Sequence, residues 1–190
     1  MPVEYINRSG DTYYLHRGKT RTSKPKYFFS KKDDGVLVRT IPEGYEIYEH
    51  PNARVFLRRS SPKIFADEEI SIVENGVRDF AKLQHFKIDI KKNQIIVFIV
   101  DQDVDSLKRL LSSSWGHSDS RVEEGLIRML TYSPMMRFVL TDETRRIFDV
   151  ERMCFLEPMG WMFLDGGNSL RKLVKKYCYH LGKDSFFELI

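Results

Sequence analysis

The chain has few of the residues that build a disulfide scaffold or a membrane span. Only two of its 190 residues are cysteine, Cys154 and Cys178, too few for a disulfide framework, and we expect both to be reduced core residues. The longest apolar run, residues 95–100, is far shorter than the roughly 20 residues of a transmembrane helix. The opening residues 1–4 contain no basic segment followed by an apolar one, so we expect no signal peptide. These absences favour a cytoplasmic protein without membrane contact.

The sequence also lacks the motifs that mark common catalytic and metal sites. It has no G-x-S-x-G elbow, no phosphate-binding glycine loop and no dinucleotide fingerprint. None of its five histidines has the paired spacing of metal ligands. His117, in a predicted loop, is the histidine best placed for acid–base work. We therefore expect no resident metal or cofactor, and the sequence favours a binding protein over an enzyme.

Positive charge is concentrated in the first third of the chain. Residues 1–63 contain 13 Lys and Arg against 7 Asp and Glu, a net charge of +6, whereas residues 64–190 contain 18 against 20. No acidic residue occurs between Thr12 and Lys32. A basic segment interleaved with aromatic residues is typical of a surface that binds a polyanion, most simply nucleic acid.

The basic segment predicts a β-hairpin with an exposed tip. Two β-rich runs, residues 13–16 and 26–30, flank a polar loop that begins at Gly18 and ends at Pro25. In the functional interpretation, cations neutralise phosphates while Tyr or Phe stacks on unpaired bases. The candidate contacts are Arg17, Lys19, Arg21, Lys24, Lys26, Lys31 and Lys32.

The same pattern has a purely structural interpretation. Side chains alternate between the two faces of a strand, so Tyr13 and Leu15 cannot share a face with Tyr14 and His16. About half of the aromatic residues would then form the inward face of a sheet, with the charges on its solvated face. The loop cations Lys19, Arg21 and Lys24 have the weakest structural explanation.

Turn signals predict further hairpins and a change of composition near residue 60. A loop over residues 50–53 would place Glu49 opposite Arg54 and Ile47 opposite Phe56, which are favourable cross-strand pairs. The N-terminal β-rich module is expected to span residues 1–63.

The sequence of residues 64–190 predicts an α+β domain that follows this module. A helix beginning near Asp67 has apolar residues at helical spacing, with Gly76 as a weak point that costs ~1 kcal/mol against Ala. A hairpin over residues 86–100, a helix from Arg121 to about Tyr132 and three strands follow, and an amphipathic helix capped by Ser169 comes last. The fold class predicted is α+β with mostly antiparallel strands.

Three acids follow the buried strand that ends near residue 100. Asp101, Asp103 and Asp105 are weak catalytic candidates, because clustered carboxylates at a strand end can hold Mg²⁺. The alternative is that Asp103 or Asp105 caps the next helix and interacts with its dipole. A calcium loop is disfavoured, because the sixth position is Ser106 rather than Gly and the twelfth is Ser112 rather than Glu.

A second acidic pattern, Asp79 followed by Asp89-Ile90-Lys91, resembles the PD-(D/E)xK nuclease arrangement. That resemblance implies carboxylates that hold a metal and a lysine that assists the attacking water. The sequence departs from the pattern, because no proline precedes Asp79 and Lys91 lies near a predicted turn.

Both ends of the chain resemble segments of uncharacterised bacterial proteins. The segments that carry the resemblance are residues 13–20, 26–32, 41–49, 151–155 and 180–189. The resemblance implies a bacterial intracellular origin, and it assigns no activity, cofactor or residue role.

We expect an intracellular protein whose partner is DNA or RNA, bound through the basic aromatic hairpin. A metal-dependent nuclease that uses Mg²⁺ is one alternative. The other is a protein-interaction module, for which an acidic protein partner would suit the same surface.

Overall fold

A computed structural model describes residues 1–115, 120–156 and 160–190. Within these ranges the chain forms two compact units. The first unit comprises Met1–Pro62 and Asp103–Leu130, and the second comprises Lys63–Gln102 and Thr131–Ile190.

Ten strands and four α-helices are present in the described ranges. The strands are β1 (Glu4–Ile6), β2 (Thr12–Lys19), β3 (Pro25–Ser30), β4 (Tyr45–Glu49), β5 (Val55–Arg59), β6 (Phe86–Lys91), β7 (Gln94–Val100), β8 (Tyr132–Asp142), β9 (Ile147–Cys154) and β10 (Gly160–Ser169). The helices are α1 (Asp67–Gly76), α2 (Val104–Trp115), α3 (Ser120–Met129) and α4 (Leu170–Tyr177). All pairs of neighbouring strands are antiparallel. The α+β class with mostly antiparallel strands is therefore confirmed.

The first unit contains a three-stranded sheet with the order β1-β2-β3 and a separate β4-β5 hairpin. β2 is the central strand, and its edge opposite β3 has two partners. The N–H of Leu15 donates to the carbonyl of Val3, and the N–H of Arg17 donates to the carbonyl of Val36. Because both edges of β2 are hydrogen-bonded, the strand that carries Arg17 and Lys19 is fixed in place.

The predicted register of the second hairpin is wrong by one residue. Glu49 lies opposite Val55, and Ile47 lies opposite Leu57. The turn is longer than the sequence suggested, because Ala53 adopts a left-handed conformation with φ of 58°. Since a slip of one residue exchanges the two faces of a strand, Phe56 instead stacks on Tyr48, with ring centroids 6.3 Å apart.

The second unit is built on a five-stranded sheet whose order, β10-β9-β8-β7-β6, follows the chain. Helices α1 and α4 pack against each other and against one face of this sheet. The alternating apolar positions of the strands meet the apolar stripe of each helix in one core. Its fully buried members include Val97, Met136, Phe138, Val150 and Leu173.

The predicted helix from Arg121 to Tyr132 ends earlier than expected. α3 ends at Met129, and β8 has already begun at Tyr132. Pro134 lies inside β8, where the pairing with β7 shifts register between Val97 and Phe98. Proline has no N–H to donate, so a strand accepts it at such an irregularity.

Both cysteines are free and buried, which confirms that they are core residues. Burial raises the pKa of the Cys178 thiol to about 12, so this sulfur stays protonated and unreactive. Among the described residues, no helix is both long enough and apolar enough to cross a membrane.

Candidate nucleic-acid interface

The β2–β3 hairpin distributes its cations over both faces. Arg17 lies opposite Tyr27 and Lys19 opposite Pro25, while the intervening Gly18 lies opposite Lys26. Since side chains alternate along a strand, Arg17 and Lys19 share one face and Lys26 lies on the other. Charge is therefore available on either side of this end of the sheet.

The tip of the hairpin, residues 20–24, is held by its own hydrogen bonds. The N–H of Thr20 donates to the carbonyl of Lys24 at 2.8 Å, and the N–H of Ser23 donates to the carbonyl of Thr20 at 2.9 Å. The Thr20 hydroxyl accepts the N–H of Lys24 at 3.1 Å. Ser23 completes the turn with a left-handed φ of 60°. The cations of the tip thus project from a preformed turn, which lowers the ordering cost of binding.

Six of the seven predicted contact residues are exposed cations whose side chains have no ion-pair partner among the described residues. This set, the free cations, comprises Arg17, Lys19, Arg21, Lys24, Lys26 and Lys32. A cation that the fold does not neutralise keeps its full attraction for an external anion.

Lys31 differs from the free cations. Its ammonium lies 2.8 Å from the Asp11 carboxylate and 5.8 Å from the centroid of the Tyr13 ring. The bond with Asp11 raises the pKa of Lys31, and the same bond lowers the pKa of the Asp11 carboxyl. Lys31 therefore has a structural role in the sheet, and a ligand would have to compete with Asp11 for it.

Two free cations line a pocket at the end of β2. The pocket has a volume of about 410 Å³, and its lining consists of Arg17, Gly18, Lys19, Ser23, Pro25 and Val36. The lining includes two positive charges and one hydroxyl but no carboxylate. Guanidinium and ammonium groups around a concavity form a suitable site for a phosphate group.

On the opposite face of the hairpin, two rings form a stack. His16 and Phe28 are cross-strand partners, and their rings are nearly parallel at 12° with centroids 5.3 Å apart. His16 is buried, and its Nε2 donates to the carbonyl of Lys32 at 2.9 Å. Phe28 remains 41% exposed. The stack therefore has a fixed inner ring and an accessible outer ring.

Gly18 makes room for this stack. A Cβ at Gly18 would lie 3.3 Å from the edge of the Phe28 ring, tighter than an ordinary contact. Sequence reasoning placed Phe28 among the interleaved aromatic residues but did not identify it as a site residue. Alternation places Phe28 on the same face of β3 as Lys26, but its position beside His16 follows only from the pairing of β2 with β3.

Among the acids after β7, Asp103 has a structural role. The Asp103 carboxylate accepts the N–H of Ser106 at 3.0 Å and its hydroxyl at 2.6 Å. These bonds lower the pKa of Asp103. Asp103 therefore caps α2, as the structural interpretation of the sequence held.

We expect Asp103→Ala to lower the free energy of unfolding by about 1 kcal/mol, because the N–H of Ser106 loses its acceptor. Asp103→Asn, which retains an acceptor oxygen, should recover most of the loss. Urea denaturation of the two variants measures the difference. An alanine variant as stable as the native chain would contradict the cap.

The residues of the second acidic pattern lie on different elements. Asp79 lies in a π-helical turn, Val77–Ala81, whereas Asp89 is buried within β6 and Lys91 ends that strand. Within residues 1–115, 120–156 and 160–190, no three His, Cys, Asp or Glu residues are grouped to hold a metal ion. His117 lies outside the described residues.

A second polar cluster lies in the other unit, around Asp165. The carboxylate accepts the ammonium of Lys176 at 2.8 Å and the hydroxyl of Tyr177 at 3.1 Å, and these bonds lower the pKa of Asp165. It also accepts the N–H of Gly166 at 2.8 Å. Because its oxygens already accept hydrogen bonds from within the protein, this carboxylate links β10 to α4 and is not available to a ligand.

Comparisons with family models, with curated proteins and with solved structures find no match to this chain.

Proposed function

We propose that this protein binds nucleic acid through the β2–β3 hairpin. The observation that supports the proposal is the set of six free cations on one preformed hairpin, without neutralising partners in the described part of the chain. A charged face with no ligand usually mixes acidic with basic residues, but residues 12–32 contain no Asp or Glu. Of the seven cations first predicted, Lys31 alone is engaged by a carboxylate.

In this proposal, the free cations replace counterions along the phosphate backbone. The release of those counterions supplies most of the binding free energy, and contacts of this type do not read sequence. The pocket beside Arg17 and Lys19 holds one phosphate, where the guanidinium can donate two hydrogen bonds. A cytoplasmic location, where thiols such as Cys154 stay reduced, belongs to the same proposal.

The first test is a salt series with labelled DNA and RNA, each single-stranded and double-stranded. Because the free cations lie on two faces, we expect about four to contact phosphate at once. The logarithm of affinity should then fall with the logarithm of salt with a slope of about −3, or ~50-fold between 50 and 200 mM. Fluorescence anisotropy measures the slope.

Two results would count against the proposal. Absence of binding to every probe at 50 mM salt would overturn it. Salt-insensitive binding to a protein instead would favour the interaction module. Cleaved products that appear only with Mg²⁺ would add an enzymatic step, so the reactions should also be run on a gel.

A further inference from the structure

We infer that the ligand of the hairpin is a single-stranded polynucleotide, DNA or RNA, and that Phe28 stacks on one of its bases. The inference rests on the proposed function, since it identifies which form of nucleic acid the same hairpin takes. It depends on the His16–Phe28 stack and not on the number of cations.

The Phe28 ring is unusual in being both supported and accessible. An exposed phenylalanine on a strand ordinarily rotates among its rotamers and loses that freedom when it binds. Here the buried His16 covers one side of the ring at a centroid distance of 5.3 Å, and a hydrogen bond to Lys32 holds the imidazole. With 41% of Phe28 still exposed, a planar ligand can extend the stack at low entropic cost.

Charge around the ring is suited to a nucleotide. Lys26 lies two residues before Phe28 on β3, hence on the same face and about 7 Å away along the strand. Lys26 has no ion-pair partner among the described residues, and its cross-strand neighbour Gly18 has no side chain. A base on Phe28 would therefore place its own phosphate within reach of Lys26.

Duplex does not fit this arrangement. Its bases are stacked on one another and expose only their edges in the grooves, so no base face is available to an aromatic side chain. A single strand offers a π-face at every base, whichever the sequence. The stack therefore favours unpaired nucleic acid without selecting a base.

The experiment titrates the full chain with labelled dT20, rU20 and a 20-base-pair DNA duplex in 0.1 M salt. We expect both single strands to bind more tightly than the duplex. Phe28→Ala should weaken single-strand binding about 5- to 150-fold, the range found for removing one base-stacking aromatic. Its duplex affinity and salt slope should stay unchanged. Phe56→Ala, at a Phe that is 46% exposed on the other hairpin, is the matched control and should bind like the native chain.

A second variant, Phe28→Trp, keeps the aromatic ring and reports on stacking directly. We expect it to bind dT20 at least as tightly as the native chain. Its added indole fluorescence should be quenched by dT20 but not by inorganic polyphosphate, which has charge without bases.

The outcomes separate this inference from the proposed function. Equal, salt-dependent binding of single strand and duplex, with no loss in Phe28→Ala, would overturn the stacking site and leave nucleic-acid binding in place. If Phe28→Trp binds dT20 without quenching of its added indole fluorescence, the stacking site is likewise overturned and nucleic-acid binding remains. No binding to any of the three probes, also at 50 mM salt, would overturn both.

Discussion

Substitution of Gly76 by leucine is expected to lower the free energy of unfolding by ~3 kcal/mol or more, because the position has no room for a side chain. Gly76 is buried where α1 crosses α4. A Cβ there would lie 2.1 Å from Cγ1 of Val174. Val174 is itself buried in the core, so it cannot swing into solvent to make room.

Alanine at this position has a higher helix propensity than glycine, but its methyl group has no room in the core. Position 76 has helical dihedral angles, φ −60° and ψ −40°, so alanine would gain ~1 kcal/mol of intrinsic preference. Overpacking a core by one methyl group costs about 1–3 kcal/mol. We expect packing to prevail and Gly76→Ala to be destabilising, contrary to the sequence-based view of Gly76 as a weak point of the helix.

A double-mutant cycle with Val174→Ala separates the two effects. Removing Cγ1 of Val174 leaves its Cβ as the nearest atom, 3.6 Å from a Cβ at position 76, an ordinary contact. The double variant should therefore be ~1–3 kcal/mol more stable than the sum of the single losses implies. Urea denaturation measures all four proteins. Additive losses would show that Gly76 is not constrained by Val174.

Two hairpins of this fold could be predicted from sequence because their signals are local. Alternation and turn residues located the hairpins over residues 13–30 and 86–100, and both pair as antiparallel strands. The register of β4 and β5 could not be predicted, because it depends on the left-handed conformation of Ala53, a residue that rarely adopts it. The role of Gly76 was not predictable either, because it depends on Val174, about a hundred residues further along the chain.

The sequence predicted the cations of the candidate site but not the contacts that these residues make. The absence of acids from residues 12–32 identified the cations, yet Asp11, one residue outside that segment, is the group that engages Lys31. The His16–Phe28 stack requires the pairing of β2 with β3, so no local pattern reveals it. The role of Asp103 is evident only from its hydrogen bonds with Ser106. In the sequence, a carboxylate that caps a helix cannot be distinguished from one that binds a metal ion.

The triple variant Lys19→Ala, Arg21→Ala and Lys24→Ala is expected to weaken binding strongly. At 0.1 M salt each phosphate contact to a single strand contributes ~5-fold through counterion release, so three contribute ~100-fold. The salt slope should fall by about 2 for the same reason. The tip should keep its shape, because its hydrogen bonds use the backbone and the Thr20 hydroxyl rather than these side chains.

The matched control removes three cations from α4, in the variant Arg171→Ala, Lys172→Ala and Lys175→Ala. These residues are also exposed, so both variants lose the same net charge. If long-range attraction by the whole protein governs binding, the two variants should weaken it equally. If the hairpin contacts the phosphates, the α4 variant should keep nearly the native affinity and slope. Equal losses in dT20 titrations over a salt series would therefore refute a local site, and a loss confined to the tip variant would locate the ligand on the β2–β3 hairpin.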